Sequence, residues 1–182
     1  DNTPGQPLLH CIFWSADIAS RVVDIVHFTS PANENNEIVR KKIKANFWTG
    51  IVVDWKDIEE YINEDDAILI GPGMERIPET KSIVNHLLTK YPHKKWVVDG
   101  GALQMVNPQL LNQNMIITPH QQEYQLLLSK TNKLNNCTIL LKGPTDIVSQ
   151  GKKSVEIKGG PPSLAICLRE LYVHGSWRAL RR

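Results

Sequence analysis

The stretch "AILIGPGMERIPETKSIVNHLLTKYPHKKWVVDGG", residues Ala67 to Gly101, combines two short apolar runs with a helical pattern between them. The runs Ala67–Ile70 and Trp96–Val98 are brief, rich in branched side chains and closely followed by glycine, which is typical of buried strands. Between them, Pro78–Lys90 carries apolar residues three and four positions apart, and Pro78 suits the first turn of a helix. The stretch therefore predicts two parallel strands joined by a helix.

The same alternation extends along most of the chain on both sides of this stretch. Further strands are predicted at Asp24–Phe28, Gly50–Val53, Met115–Ile117 and Thr138–Leu141, and further helices at Glu34–Lys44, Lys56–Ile62 and Gln121–Lys130. Two β-like runs around a Gln-Gly turn within Asp146–Gly160 predict a late hairpin at one edge of the sheet. We expect an α/β fold in a single domain over residues 1–182, with a mostly parallel sheet and helices on both faces.

The composition is that of a globular protein. With 182 residues, 41% of them hydrophobic and 22% charged, the chain is long enough for one well-buried domain. The net charge of +2 gives no reason to expect a nucleic-acid or membrane partner, and the sequence is compatible with a homo-oligomer.

The cysteines, histidines and apolar runs indicate where the protein works. Cys11, Cys137 and Cys167 are scattered and odd in number, so we expect neither a disulfide framework nor a zinc site, but a reducing compartment. The six histidines are dispersed too, which argues against a metal site built by the protein. Because no run approaches a membrane span and no charged-then-apolar leader opens the sequence, we expect a cytoplasmic location.

Four consecutive predicted strands end in residues that suit a ligand site. The ends are Gly71-Pro72-Gly73, Asp99-Gly100-Gly101, Thr118-Pro119-His120 and Lys142-Gly143. In open α/β sheets ligands bind at the carboxyl ends of the strands, and glycine lets a ligand approach the backbone closely.

Each end also has a purely structural explanation. Gly71 to Gly73 could form a plain turn, Asp99 could cap a short helix, and Lys142 could be solvated. Thr118-Pro119-His120-Gln121 fits a capping box with Thr118 as the cap, which leaves His120 without a structural role. A neutral imidazole beside a helix N-terminus is a good hydrogen-bond partner for a ligand. Four such ends in succession favour a shared site.

In order and spacing, four motifs resemble those of the ADP/ATP-dependent NAD(P)H-hydrate dehydratases. They are "DAILIGPGMER", "KWVVDGGALQM", "MIITPHQQEYQLL" and "ILLKGPTDIV", and the resemblance extends from about Ser15 to Gly160. It implies a ribokinase-like fold and a lyase reaction on hydrated NADH or NADPH. In that reaction ADP or ATP, accompanied by Mg²⁺, phosphorylates the ring hydroxyl, and phosphate then leaves more readily than hydroxide would.

The resemblance also implies roles for residues at the strand ends. Gly71, Gly73 and His120 would contact the hydrated dinucleotide, with Asp99 lining the same cleft in no assigned role. The adenine nucleotide would be held by a second set of residues, namely Lys142, Gly143, Pro144, Thr145 and Asp146. Lys142 would meet its phosphates.

The resemblance ends at both termini. The start lacks the family's glycine-rich turn, and the sequence after Gly160 contains no Gly-Thr-Gly-Asp segment, in which the family places its anion hole and activating aspartate. We therefore expect the domain to be incomplete after Gly160, through truncation or a changed reading frame, with a helix from Ser163 to about Val173 before a basic tail. The catalytic residues are unassigned. An inactive nucleotide-binding domain and a vitamin-precursor kinase of the same superfamily are the alternatives.

Overall fold

The computed structural model describes residues 15–46, 50–131, 134 and 137–158, with side chains 42–46 excepted. These residues divide between Asp65 and Asp66 into two compact units. The helix predicted from Ser163 lies outside the described residues. The single domain over 1–182 stays a prediction.

The first unit holds a small parallel sheet. Strand β1 (Val26–Phe28) pairs with β2 (Gly50–Val52), and helix α1 (Asn33–Asn46) connects them. A 3₁₀ turn (Trp55–Asp57) and helix α2 (Ile58–Glu64) follow. Ala16, Phe28 and Val39 form the core of this unit.

The second unit is built on a six-stranded sheet in the order β3-β4-β5-β6-β7-β8. Its strands are β3 (Ala67–Ile70), β4 (Lys95–Val98), β5 (Met115–Ile117), β6 (Thr138–Leu141), β7 (Thr145–Gln150) and β8 (Lys153–Lys158). The first four are parallel, and β6, β7 and β8 pair antiparallel, so the predicted edge hairpin is confirmed.

Three helices connect the parallel strands. They are α3 (Pro78–Lys90), α4 (Gly100–Met105) and α5 (Gln121–Lys130), with a 3₁₀ turn at Pro108–Leu110 before β5. Because the strand order runs in one direction and such crossovers are right-handed, the three helices lie on one face of the sheet. Helices on the second face, which we also predicted, stay a prediction.

The core of the second unit is formed by the central strands. Val98, Met115 and Ile117 are fully buried, as are Leu103 of α4 and Val84 of α3. Trp96 is almost as deeply buried. Its indole Nε1–H, the one polar group of the side chain, donates a hydrogen bond to the Tyr91 carbonyl oxygen at 2.9 Å. The central strands that precede the candidate residues thus lie in the buried core of this unit.

The predicted bounds are largely confirmed. Ala67–Ile70, Met115–Ile117, Thr138–Leu141, Pro78–Lys90 and Gln121–Lys130 match residue for residue. The helix predicted at Lys56–Ile62 is instead a 3₁₀ turn followed by α2, so its first turn was assigned to the wrong helix type.

Cys137 is the cysteine that lies in the described part of the chain, and it is buried. Burial raises the pKa of its thiol to about 11, which makes it a poor nucleophile near neutral pH. None of the helices described is both long and apolar enough to cross a membrane.

Candidate functional site at the carboxyl ends of the parallel strands

Each parallel strand of the second unit is followed immediately by a candidate residue. Gly71 follows β3, Asp99 follows β4, Thr118 follows β5 and Lys142 follows β6. Because neighbouring parallel strands end at the same edge of a sheet, these four residues come together there. We call them the strand-end cluster. The prediction that these strand ends share one edge is confirmed.

Asp99 is the centre of the strand-end cluster. Asp99 is only 6% exposed, and its Oδ1 accepts hydrogen bonds from Thr118 Oγ1 at 2.6 Å and from Lys142 Nζ at 2.9 Å. Asp99 occupies the cap position of α4, but its side chain makes no cap hydrogen bond. The helix-cap explanation for this carboxylate is therefore wrong, and Asp99 is instead bonded to side chains at the ends of β5 and β6.

Lys142 is neither a solvated lysine nor an isolated cation. Its side chain is 12% exposed, compared with 8% for that of Asp99, so the ion pair is largely removed from water. Its backbone N–H donates to the Pro119 carbonyl oxygen at 2.8 Å, and Lys142 forms a parallel bridge with His120. The pairing of β5 with β6 thus continues past the strands and places the ammonium over Asp99.

Gly71 permits a close approach between two loops of the protein itself. Its φ is +116°, and a Cβ at this position would lie 1.8 Å from the Asp99 carbonyl oxygen. Its own carbonyl oxygen accepts from Met74 N and Gly101 N. Glycine at 71 is therefore required by packing against the end of β4, whereas its contact with a ligand stays a prediction.

The remaining predicted residues lie in the two turns beside the strand-end cluster. Gly73 has a φ of +74°, which glycine adopts without strain. In the turn between β6 and β7, the backbone N–H of Gly143 donates to Asp146 Oδ1 at 2.9 Å. Pro144 is exposed between them. One oxygen of Asp146 therefore orders the turn, and nucleotide contacts by Lys142 to Asp146 stay predictions.

The N-terminus of α5 is capped by His120, and our prediction of Thr118 as the cap is wrong. Nδ1 of His120 accepts from the backbone N–H groups of Gln122 and Glu123 at 3.2 and 3.3 Å. The Glu123 carboxylate in turn accepts from the His120 backbone N–H, which completes a capping box. Thr118 is fully buried and is instead bonded to Asp99, because the chain stays extended for two residues after β5.

Two residues of this region were not predicted. Glu123 is 8% exposed, and its Oε1 accepts from the Gln104 side chain of α4 at 2.8 Å. The spacing from His120 to Glu123 is that of a capping box, so the sequence carried a signal for Glu123 once His120 was taken as the cap. The partnership with Gln104 has no local signal because it joins two helices.

In the portion that the structure describes, no group of three or more His, Cys, Asp or Glu side chains is placed to hold a metal ion. This edge of the sheet carries a buried ion pair, a half-exposed imidazole and backbone amides in glycine turns.

Comparison with known proteins identifies a matching family. The Carb_kinase family, described as NAD(P)H-hydrate dehydratase, matches residues 12–166, which includes every strand of both sheets. The chain belongs to the NAD(P)H-hydrate dehydratase family.

Individual family members are similar over a large part of the chain. A bifunctional NAD(P)H-hydrate repair enzyme of Hyperthermus butylicus is 27% identical over 134 residues, 61% of this chain and 25% of the relative. An ATP-dependent (S)-NAD(P)H-hydrate dehydratase of Entamoeba histolytica is 30% identical over 141 residues, 66% of this chain and 44% of the relative. The chain thus spans a quarter to less than half of these relatives' length.

Solved structures show the same fold. A ribokinase-like superfamily protein from Enterococcus faecalis superposes with a TM-score of 0.67 over 86% of this chain and 61% of its own, at 20% identity. An ADP/ATP-dependent NAD(P)H-hydrate dehydratase from Bacillus subtilis, co-crystallised with ATP and Mg²⁺, gives 0.62 over 88% and 65%, at 17% identity. The predicted ribokinase-like α/β fold is therefore confirmed.

Proposed function

We propose that this chain carries the nucleotide-dependent dehydratase domain that repairs hydrated NADH or NADPH. Family membership supports the class of reaction. The observation that supports the location of the site is the convergence of Asp99, Thr118 and Lys142 at the ends of adjacent strands. Open α/β sheets bind ligands at this edge.

In this proposal two sets of residues receive the two substrates. Gly71, Gly73 and His120 would face the hydrated dinucleotide, with Asp99 lining the same cleft, and the Lys142–Asp146 turn would receive ADP or ATP. The His120 side chain is 49% exposed, so part of its ring is open to solvent, although Nδ1 is used in the cap and Nε2 lies 3.5 Å from the Glu123 carboxylate.

The side chains fit an anionic nucleotide. The ammonium of Lys142 has three N–H donors, and Asp99 accepts one of them, so further donors remain for a phosphate oxygen as far as the described residues show. The turn at Gly143 adds a permissive backbone beside that cation. Mg²⁺ would arrive on the nucleotide phosphates, where it would neutralise charge during phosphoryl transfer.

The reaction proceeds in two balanced stages. The hydroxyl oxygen on the nicotinamide ring takes the terminal phosphoryl group from ATP or ADP, which leaves as ADP or AMP, and the hydroxyl proton passes to solvent. The carbon–oxygen bond then breaks, phosphate leaves with the bonding electrons, and loss of a ring proton restores the dihydropyridine. Residues at the sheet edge would bind and orient the two substrates for the first stage.

A second candidate is a nucleotide-binding domain without turnover. The observation that favours it is the sequence itself, which contains no Gly-Thr-Gly-Asp segment. The first experiment is product analysis with hydrated NADH, ADP and Mg²⁺. Restored NADH supports the dehydratase, a stable phosphorylated dinucleotide identifies a kinase, and calorimetric binding of both ligands without product identifies the inactive domain. If the chain bound neither hydrated NADH nor ADP, the proposal would be refuted.

Two further predictions have tests of their own. Cell fractionation tests the predicted cytoplasmic location, and size-exclusion chromatography tests the predicted homo-oligomer.

A further inference from the structure

The N-terminus of α3 has backbone donors that no side chain of its own caps. The cap position is held by Ile77, whose apolar side chain accepts no hydrogen bond, and Pro78 follows it. The Lys81 N–H is the first that donates within the helix, to the Ile77 carbonyl oxygen. Because proline has no N–H, the amides of Glu79 and Thr80 are the donors that remain, and neither has an acceptor in the described part of the chain.

Thr80 adds a hydroxyl to these two amides. The residue is 4% exposed and belongs to the inward-facing stripe of α3, together with Val84, Leu87 and Leu88. Side chains of a helix tilt toward its N-terminus, so that of Thr80 points back to the start of α3. Its hydroxyl forms no hydrogen bond with any residue that the structure describes. Since polar groups of buried residues ordinarily have a partner, this hydroxyl is a candidate ligand contact.

Arg76 places a cation directly before the same helix. It is exposed, and it forms no ion pair with the residues described. The preceding turn is tight, because the Met74 N–H donates to the Gly71 carbonyl oxygen and Gly73 has a positive φ. Arg76 thus lies three residues after Gly73, a candidate contact of the hydrated dinucleotide. A guanidinium, two backbone amides and a hydroxyl are the donors that bind phosphate oxygens.

Two glutamates limit the positive charge at this place. Glu75 and Glu79 are both exposed, and Glu79 already complements the dipole of α3 from its first turn. The glutamates offset the charge of Arg76, so an anion would be held by directed donors and not by net charge.

We propose that Arg76 and the N-terminus of α3 bind a phosphate group of the hydrated dinucleotide, through the Glu79 and Thr80 amides and the Thr80 hydroxyl. The identity of the ligand rests on the proposed function, whereas the capacity to bind phosphate does not. Hydrated NADH carries a pyrophosphate, and hydrated NADPH carries a 2′-phosphate as well, so either group could be the one bound. Holding a part of the substrate that does not react helps to orient the part that does.

The first test uses inorganic pyrophosphate and is independent of the dehydratase reaction. Titration should shift the ¹⁵N–H resonances of Glu79 and Thr80 until they saturate. Arg76→Gln should weaken this binding about tenfold, the change expected for one lost charge-assisted hydrogen bond. Lys153→Gln on exposed β8 is the matched control and should bind as the wild type does. Unshifted amides, or unweakened binding by Arg76→Gln, would overturn the proposal.

The second test examines the helix donors one at a time. Ile77→Ser introduces a side chain that can accept the Thr80 N–H, so it should raise the melting temperature and weaken pyrophosphate binding. Thr80→Val removes the hydroxyl while nearly preserving volume and should weaken binding about fivefold. Glu79→Gln removes a repelling charge and should strengthen it. If Ile77→Ser were more stable than the wild type and bound pyrophosphate equally well, the amides would not be contacts and the proposal would fail.

The third test identifies the phosphate group by calorimetry on the wild type and Arg76→Gln. Equal weakening for hydrated NADH and hydrated NADPH would assign the pyrophosphate, and weakening for hydrated NADPH alone would assign the 2′-phosphate. Either result upholds the proposal, whereas weakening for ADP alone would refute it. If neither dinucleotide bound the wild type, the proposed function would be refuted, and a saturable pyrophosphate response would still establish a phosphate site on α3.

Discussion

The ammonium of Lys142 lies 2.9 Å from Oδ1 of Asp99, and both side chains are almost entirely removed from water. The same oxygen accepts the hydroxyl of Thr118 at 2.6 Å, so one carboxylate joins the ends of three neighbouring strands. Such a pair is costly to break because the remaining partner is left charged and buried. The candidate nucleotide cation is thus also part of the fold.

Lys142→Ala should weaken ADP binding and also destabilise the fold. Loss of the ammonium leaves Asp99 without its counter-ion, at a cost of about 3–5 kcal/mol. Urea unfolding measures the stability and calorimetry the affinity, with Lys153→Ala on exposed β8 as the matched control. In a double-mutant cycle, the variant with both Asp99→Asn and Lys142→Met should lose less stability than the sum of the losses in the two single variants. Strict additivity would refute the coupling.

Thr118→Val should destabilise the chain by about 1.5–3 kcal/mol, because it removes a buried hydrogen bond to a charged group while nearly preserving volume. Thr118→Ser retains the hydroxyl and should cost less. Chemical denaturation of the two variants makes the comparison. A larger loss in the serine variant would mean that the methyl group, and not the hydrogen bond to Asp99, is what position 118 supplies.

His120→Ala and His120→Asn should separate the two roles of this residue. Alanine removes the cap of α5 and should cost about 0.5–2 kcal/mol of stability. Asparagine is a good cap but has no imidazole, so stability should return while the affinity for hydrated NADH stays reduced about fivefold. Thermal unfolding and calorimetry provide the two measurements. If His120→Asn bound hydrated NADH with wild-type affinity, the role of His120 would be limited to capping α5.

Gly71→Ala should be severely destabilising, by more than about 3 kcal/mol, because the new Cβ would overlap the Asp99 carbonyl oxygen and the φ of +116° is unfavourable for alanine. Gly151→Ala is the control, since its φ is +60° and no atom lies within 4 Å of the added Cβ. Gly151→Ala should lose only about 1–2 kcal/mol of stability, which is the conformational cost of a positive φ for alanine. Equal losses in the two variants, by denaturant unfolding, would refute the packing explanation at Gly71.

The polypeptide with this sequence should show very low dehydratase turnover or none. Phosphoryl transfer depends on positioning and electrostatic stabilisation, and loss of a single oxyanion-hole donor typically lowers the rate by ~10²–10³. The sequence has no Gly-Thr-Gly-Asp segment, and Glu170 is the only carboxylate after Gly160. The assay follows recovery of NADH absorbance from hydrated NADH with ADP and Mg²⁺. Turnover at an ordinary enzymatic rate would contradict the prediction.

The sequence by itself determined the local elements and the order of the site residues. Apolar runs of three or four residues and the helical spacing of Pro78–Lys90 and Gln121–Lys130 are local patterns, so β3, α3, β5, α5 and β6 were predicted with correct bounds. The placement of Gly71, Asp99, Thr118 and Lys142 at one edge also followed from sequence, because parallel strands that follow one another in a sheet end on the same side.

Only the tertiary structure decided which of these residues are partners. Asp99 and Lys142 are 43 positions apart, and Glu123 and Gln104 are 19 apart, so no local pattern could pair them. The cap of α5 was misassigned because Thr118 fits the cap pattern equally well in sequence, and its burial against Asp99 is visible only once β4 and β5 lie side by side. Hydrophobic periodicity acts within one element, whereas the pairing of buried charges depends on which strand ends the fold brings into contact.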